Sequence, residues 1–331
     1  MKPPASGPAS FRSPQSRLGF GGAAIGNLYT AVDDATARAA LDAAWDCGIR
    51  YFDTAPHYGL GLSERRIGEA LRGRPRAEFV LSTKVGRMLD PAFGRAGSGA
   101  GAGAWAKDDQ GFDVPAAYVR RWDFSAEGVR RSIEESLERL GLDHIDIVYI
   151  HDPDDHVEQA LDEAYPALEK LRGQGVLGAI GVGMNQSAVP TRFVTETDID
   201  VVLLAGRYTL LDQSGADDLL PAAEARGVAV VLGGVFNSGL LADPRAAATY
   251  DYEPAPAELL GRALALEAVC AAHGVPLRAA ALQFGLTHPA VAGALIGIRD
   301  PEQARDCAAM AGVTVPETLW RDLRERGLIT G

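Results

Sequence analysis

The feature that most constrains this chain is a regular alternation of strand-like and helix-like segments along its whole length. The predicted strands are residues 18–22, 49–53, 79–84, 145–151, 179–184, 200–205, 229–233 and 294–297. Each is followed by at least one segment with helical periodicity, and this alternation favours a parallel sheet. Eight such units in one chain predict an α/β protein with a (β/α)8 TIM barrel, which places its long loops at the C-terminal face.

The predicted domain organisation is simple. Residues 1–17, rich in Pro, Ser and Ala, are expected to be a flexible N-terminal tail without the apolar region of a signal peptide. Residues 18–331 contain no shift in composition and are expected to be a single barrel domain. An insertion at about 86–123 begins with a Gly- and Ala-rich stretch, and a loop of that length is typical of a lid or a disordered segment.

Composition excludes several classes of function. The 331 residues carry a net charge of −12, which disfavours nucleic acid and anionic membranes as partners. The cysteines, Cys47, Cys270 and Cys307, are far apart, and no histidine pair has metal-ligand spacing, so we expect neither disulfides nor a metal. No run of about 18 apolar residues predicts a membrane span. A cytoplasmic monomer or small homo-oligomer acting on a small molecule is therefore expected.

Polar residues stand at the ends of three predicted strands. Asp53 ends the second strand and Tyr58 follows it, Lys84 ends the third, and His151 ends the fourth. In a barrel these ends lie on one face, where chemistry is done. A nearby ammonium lowers the pKa of a tyrosine from about 10 and makes it a better proton shuttle. Asp53 can hold the lysine, and His151 can form a hydrogen bond with a substrate oxygen.

Each of these residues also has an ordinary structural explanation. A lysine at a strand end is more often a solvated charge, and a lone histidine is more often a hydrogen-bonded structural group. The catalytic hypothesis rests on the four occurring together at successive strand ends. Residues 19–24 fit the pattern GxGxxA, but no acid follows at the distance that a Rossmann fold requires, so we interpret them as a barrel loop.

The constellation resembles the aldo-keto reductase family. The matching segments are DTAPHYG at 53–59, STKVG at 82–86 and LGLDHIDIVYIH at 140–151. The resemblance implies a barrel that binds a nicotinamide cofactor without a Rossmann fold. By the same resemblance Tyr58 is the proton donor or acceptor, Lys84 tunes it, Asp53 pairs with Lys84, and His151 orients the substrate.

The resemblance also implies a set of cofactor contacts. They are Gly22, Ala23, Asp53, Asn185, Phe236, Ser238, Gly239, Ile298, Arg299 and Gln303. Two positions depart from the family pattern, with Met184 and Ala205 in place of Ser and Gln. Ala304 stands where the family has an arginine for the 2′-phosphate, which favours NAD; NADP is the alternative, because Arg299 is close enough to substitute.

The segments at 150–154 and 233–241 resemble the sugar dehydrogenase branch of the family. This implies NAD(P)-dependent oxidation of an aldose hemiacetal, of the L-fucose, D-arabinose or galactose type, at C1 to the aldonolactone. Oxidation of pyridoxal, a general aldo/keto reductase activity and a non-catalytic nucleotide-sensing subunit are the alternatives. His57, Trp105 and Phe112 are the candidate substrate contacts.

Overall fold

The computed structural model describes residues 17–92, 106–245, 249–250 and 253–330. Its strands, in chain order, are β1 Leu18–Gly21, β2 Tyr51–Asp53, β3 Val80–Val85, β4 Arg87–Pro91, β5 Tyr118–Trp122, β6 Ile145–His151, β7 Leu177–Met184, β8 Val201–Ala205, β9 Ala229–Gly233, β10 Thr249–Tyr250, β11 Glu253–Pro254 and β12 Val291–Gly297. Eight of them close into a barrel in the order β1-β12-β9-β8-β7-β6-β3-β2. The (β/α)8 prediction is confirmed.

Helices follow the barrel strands. They are α1 Asp34–Asp46, α2 Leu62–Leu71, α3 Ala126–Leu140, α4 Val157–Gln159, α5 Tyr165–Gly173, α6 Ala188–Glu196, α7 Leu219–Arg226, α8 Ala257–Ala272, α9 Leu277–Phe284, α10 Pro301–Ala311 and α11 Glu317–Glu325. Local sequence explains their ends. Asp33 caps α1 by accepting a hydrogen bond from the Thr36 amide at 2.7 Å. Ser125 caps α3 in the same way, and Gly141, with φ 64°, ends it.

The chain divides into two compact units, and each has its own packing. One comprises residues 19–183 and 297–305, and the other residues 1–18, 184–296 and 306–331. The second unit contains a large apolar cluster in which α8, α9 and α11 contribute buried side chains such as Leu266, Ala280 and Leu319. In the first unit, the barrel strands β2, β3 and β6 pair in parallel register, with Asp53 opposite Ser82 and Lys84 opposite Tyr149.

The described parts of the insertion, residues 86–92 and 106–123, contain a hairpin and buried side chains. β4 and β5 form an antiparallel hairpin in which Arg87 lies opposite Trp122. Phe112 is 2 % exposed and packs with Leu60, Leu89 and Val114. Leu89, Phe112 and Val114 are therefore buried. The prediction of a loop over 86–123 is corrected for the described parts of the insertion, which include a hairpin. The Gly- and Ala-rich stretch at 93–105 lies outside the described residues.

A helix that spans a bilayer must be both long and apolar. Within the described ranges, no single helix is long and apolar enough to cross one. Ala257–Ala272 and Leu277–Thr287 meet the requirement only as a pair that bends by 104°. Their apolar side chains contribute to the core cluster of the second unit.

Candidate active site

Three barrel strands position the polar side chains at the centre of the site. Asp53 is the last residue of β2, Lys84 lies near the end of β3, and His151 ends β6. They are 2 %, 2 % and 7 % exposed. Tyr58 comes from the loop after β2 and is only partly buried. The structure thus places the partly buried Tyr58 beside a buried charged pair.

Lys84 is held by two oxygen atoms. Its Nζ donates to Asp53 Oδ2 at 2.6 Å and to the Thr54 carbonyl at 2.9 Å, and it lies 4.7 Å from the centroid of the Tyr58 ring. Ser82 Oγ donates to the other oxygen of Asp53 at 2.6 Å. Burial lowers the pKa of Lys84, but the charge of Asp53 and the contact with Tyr58 outweigh it, so the net direction is upward. Lys84 is therefore an ammonium at neutral pH.

Tyr58 responds to opposing influences. Its pKa is raised to about 12: desolvation, the largest cause, and the negative charge of Asp53 raise it, while the positive charge of Lys84 lowers it. The phenol consequently keeps its proton at neutral pH, and Lys84 is the group that most favours its release. This arrangement can give or take a proton at one oxygen atom.

Two histidine rings border Tyr58. The ring of His151 is perpendicular to that of Tyr58 with centroids 6.0 Å apart, and the ring of His57 lies 5.8 Å from that of His151. Desolvation, together with the charges of Arg87 and Lys84, holds the pKa of His151 well below its usual range. Desolvation also lowers the pKa of His57 to about 2, with Arg87 contributing. Both rings are neutral at physiological pH.

Two residues that the sequence pattern did not single out contact these histidines. Arg87 Nη1 lies 3.2 Å from His57 Nε2, and the Arg87 guanidinium also forms an ion pair with Asp152. Asp152 Oδ2 in turn lies 3.5 Å from His151 Nε2. The sequence could have indicated these two residues only through their position, since Asp152 directly follows His151 and Arg87 comes three residues after Lys84.

The predicted substrate contacts meet different outcomes. The structure brings His57 and Phe112 together, with ring centroids 5.1 Å apart in an edge-to-face arrangement. Phe112 also lies 6.1 Å from Tyr58. Trp105 lies outside the described residues. Trp122, which was not among the predicted contacts, is 46 % exposed and lies 4.4 Å from the Arg87 guanidinium.

Five predicted cofactor contacts besides Asp53 belong to the first unit. The backbone of Gly22 donates to the Asp53 carbonyl at 2.8 Å, and a Cβ there would lie 2.5 Å from Ser63 Oγ, so its small size has a packing reason. Ala23 precedes a short 3-10 helix at Ala24–Gly26. Ile298 is fully buried. Arg299 donates to the Leu28 carbonyl at 3.0 Å, and Gln303 Oε1 accepts from the Arg299 amide.

The second unit carries the other four. Asn185 and Ser238 are exposed, Gly239 is partly exposed, and Phe236 packs against the apolar cluster. Between Phe236 and Ser238, the side chain of Asn237 is 3 % exposed and its Oδ1 has no hydrogen-bond partner within the described part of the chain. A buried amide oxygen without a donor is uncommon in folded proteins.

Known proteins share both the sequence and the fold of this chain. The model of the aldo/keto reductase family matches residues 17–325 of this chain. A D-threo-aldose 1-dehydrogenase from Pseudomonas sp is 47 % identical over 98 % of each chain. A pyridoxal 4-dehydrogenase from Microbacterium luteolum is 42 % identical over 95 % of this chain and 94 % of its own. The structure of a glycerol dehydrogenase from Gluconobacter oxydans superposes with a TM-score of 0.75 at 25 % identity, covering 96 % and 93 % of the two chains.

Proposed function

Because this chain belongs to the aldo/keto reductase family and is an NAD(P)-dependent oxidoreductase acting on CH–OH groups, we propose that it oxidises the cyclic hemiacetal of an aldose at C1. The product is the aldonolactone. The observation that carries the proposal is the buried Lys84–Asp53 pair beneath the Tyr58 ring, with Nζ 4.7 Å from the ring centroid. The identity of 47 % to an aldose dehydrogenase supports the substrate class.

Tyr58 is the proton shuttle in this proposal. Because most Tyr58 is protonated at neutral pH, the reacting form is the minor phenolate, which the Lys84 ammonium stabilises. This phenolate takes the proton of the anomeric hydroxyl as the C1–O bond becomes a carbonyl. Asp53 acts indirectly, because its carboxylate keeps Lys84 charged and fixed 2.6 Å away. The oxidised nicotinamide, when bound, supplies the acceptor for the hydride that leaves C1.

His151 orients the substrate oxygen. Its ring is neutral, because its pKa is held low by desolvation and by the nearby cations. A neutral imidazole can donate one hydrogen bond without placing another positive charge beside Lys84. The rings of His57 and Phe112 lie 6.0 Å and 6.1 Å from that of Tyr58, and these two residues are the proposed substrate contacts, with Trp105 as a further candidate.

The residues present fit a dinucleotide. In the second unit, the orphaned Oδ1 of Asn237 offers an acceptor in the segment of Phe236, Ser238 and Gly239, while Asn185 offers an exposed amide at the end of β7. In the first unit, Gly22, Ala23, Ile298, Arg299 and Gln303 are the proposed contacts.

We favour NAD over NADP as the cofactor. Asp300 Oδ1 accepts from the Gln303 amide at 2.8 Å and places a carboxylate at the start of α10. In this proposal that carboxylate would repel a 2′-phosphate bound near it. Ala304 is fully buried and offers no cation. A specificity constant at least tenfold higher for NAD than for NADP is expected; a clear preference for NADP would refute this choice.

The proposal is tested by Tyr58→Phe. Loss of the phenol oxygen should reduce kcat by about 10³-fold or more, because general acid–base help of this kind contributes about 10²–10⁴-fold. Binding of NAD, measured by the quenching of protein fluorescence, should persist. Steady-state rates equal to those of the unchanged chain would refute the role of Tyr58.

A second candidate is oxidation of pyridoxal, which the relative at 42 % identity favours. Specificity constants for L-fucose, D-arabinose, D-galactose and pyridoxal decide between the two. The aldose proposal requires at least one sugar to exceed pyridoxal. A pyridoxal value above all the sugars would replace it.

A further inference from the structure

Arg87 occupies an unusual position for a surface hairpin residue. Its side chain is only 16 % exposed, although it begins the β4 strand of the insertion. Its guanidinium contacts His57 Nε2 at 3.2 Å, pairs with Asp152, and lies over the ring of Trp122. The Arg87 guanidinium therefore connects the insertion hairpin to His57 and to Asp152, which follows His151.

The backbone of Asp152 is held in a conformation that few residues adopt. Its φ is 43°, in the left-handed region, and its amide donates to the Gly183 carbonyl at 3.0 Å. Asp and Asn tolerate this region better than other residues with side chains. The conformation accompanies a carboxylate that contacts both Arg87 and His151, whereas an extended solvent-exposed loop would need no such strain.

Hydrogen-bond chemistry assigns the protons of the two histidines. An arginine has only donors, so His57 Nε2 must accept from Arg87, and the proton of neutral His57 lies on Nδ1. A carboxylate has only acceptors, and Asp152 Oδ2 lies 3.5 Å from His151 Nε2, so its negative charge favours the tautomer that carries the proton on Nε2. Neither His57 Nδ1 nor His151 Nδ1 has another partner within the described ranges. Arg87 and Asp152 are thus the polar groups that set the tautomers.

We propose that the Arg87–Asp152 ion pair is a positioning device that fixes His57 and His151 in opposite neutral tautomers around Tyr58. This inference rests on the proposed role of His151 in orienting the substrate. The Asp152 carboxylate favours the Nε2–H tautomer of His151, and this N–H remains the donor to the substrate oxygen. Arg87 anchors Asp152 and also donates to the lone pair of His57 Nε2. The insertion hairpin thereby contributes to the reaction without supplying the reacting proton.

The direct test is the tautomeric state of the histidines. Protein labelled with ¹⁵N-histidine has only six such residues, and two-bond ¹H–¹⁵N spectra distinguish Nδ1–H from Nε2–H, with His57→Gln and His151→Gln giving the assignments. His151 should show Nε2–H and His57 should show Nδ1–H. Arg87→Met and Asp152→Asn should each convert His151 to a tautomer mixture. Nδ1–H on His151 of the unchanged protein, or unchanged spectra in both variants, would overturn the proposal.

Kinetics supply the second test. Arg87→Met and Asp152→Asn should each lower kcat about tenfold with NAD affinity unchanged, and the double variant should cost little more than either single one, because the two act through one pair. Asn keeps the left-handed backbone accessible at 152. Arg121→Met is the matched control, since Arg121 lies on the same hairpin and pairs with Asp90 and Asp123 away from the histidines. It should retain full activity.

The outcomes separate this inference from the proposed function. If His151→Gln retains full turnover, the role of His151 fails, whatever the spectra show. If His151→Gln is impaired while Arg87→Met and Asp152→Asn keep both full kcat and a single His151 tautomer, only the positioning device fails. A strictly additive loss in the double variant would also contradict it.

Discussion

Two buried ion pairs in the same unit resemble each other in geometry and differ in surroundings. Lys84 and Asp53 approach to 2.6 Å with side chains 2 % and 3 % exposed, and Arg120 and Asp108 approach to 2.5 Å with side chains 6 % and 3 % exposed. A buried pair by itself is weak evidence for function or for net stability. What surrounds each pair distinguishes them.

The neighbours of the two pairs are chemically different. Lys84 faces the phenol of Tyr58, whose protonation responds to its charge. Arg120 donates to the backbone carbonyl of His57 at 3.1 Å, and Asp108 accepts from the Phe112 amide at 3.4 Å. The Lys84–Asp53 pair therefore affects the pKa of Tyr58. The Arg120–Asp108 pair instead connects the insertion, by hydrogen bonds, to the loop that carries Tyr58.

The largest difference should appear when each cation is removed. Lys84→Met is expected to lower kcat about 10³-fold, because Tyr58 loses the charge that opposes its raised pKa, and the alkaline rise of kcat with pH should move upward. Arg120→Met should lower kcat by less than about tenfold, since only the position of the loop changes. Turnover of both variants as a function of pH checks the contrast. Equal losses would remove the functional distinction between the pairs.

At the Arg120–Asp108 pair, substitution should lower the stability of the fold more than it lowers kcat. Asp108→Asn leaves Arg120 as a buried cation without a counter-ion, and breaking a buried pair in this way costs about 3–5 kcal/mol. Urea denaturation should therefore show a loss of about 3 kcal/mol with kcat reduced only severalfold. A stable Asp108→Asn protein would show that water or a rearranged side chain compensates the arginine.

The sequence could predict the first pair but not the second. Asp53 and Lys84 end neighbouring parallel strands, so the fold class alone brings them to one face. The position of Arg120 depends on the register of the β4–β5 hairpin, and that of Asp152 on a left-handed backbone angle. Neither follows from hydrophobic periodicity. Gly22 illustrates a related limit. The resemblance implied only that it contacts the cofactor, whereas the structure gives a packing reason for its small size, since a Cβ there would lie 2.5 Å from Ser63 Oγ.

His57 accepts a hydrogen bond from Arg120 at its carbonyl, and its ring lies 6.0 Å from that of Tyr58. Its pKa makes the stability of the fold depend on pH. Its pKa is lowered to about 2 in the folded chain, mainly by desolvation and then by Arg87, Arg120 and Lys84. The unfolded chain, with an ordinary pKa near 6.5, binds a proton that the folded chain does not bind, so stability is lost as pH falls below 6.5. His151 contributes in the same direction.

The measurement is the free energy of unfolding between pH 6.5 and 4.5. His57→Gln should reduce its slope by up to about 1.4 kcal/mol per pH unit, the value for one proton. Gln keeps an acceptor for Arg87. The slope of the His57 variant is compared with that of His144→Gln, a substitution at a partly exposed position near Asp146. An unchanged slope in the His57 variant would mean that the folded chain also protonates this ring.

The smallest effect is expected at an ion pair on the exposed side of the same hairpin. Arg121 pairs with Asp90 at 2.6 Å, but these side chains are 46 % and 29 % exposed, so water and salt screen the attraction. Arg121→Met should change the free energy of unfolding by at most about 0.5 kcal/mol, and less at high salt. A loss equal to that of Asp108→Asn would show that burial does not explain why the Arg120–Asp108 pair stabilises the fold more than the Arg121–Asp90 pair. The contrast between Arg120–Asp108 and Lys84–Asp53 would then rest only on the groups that each pair contacts.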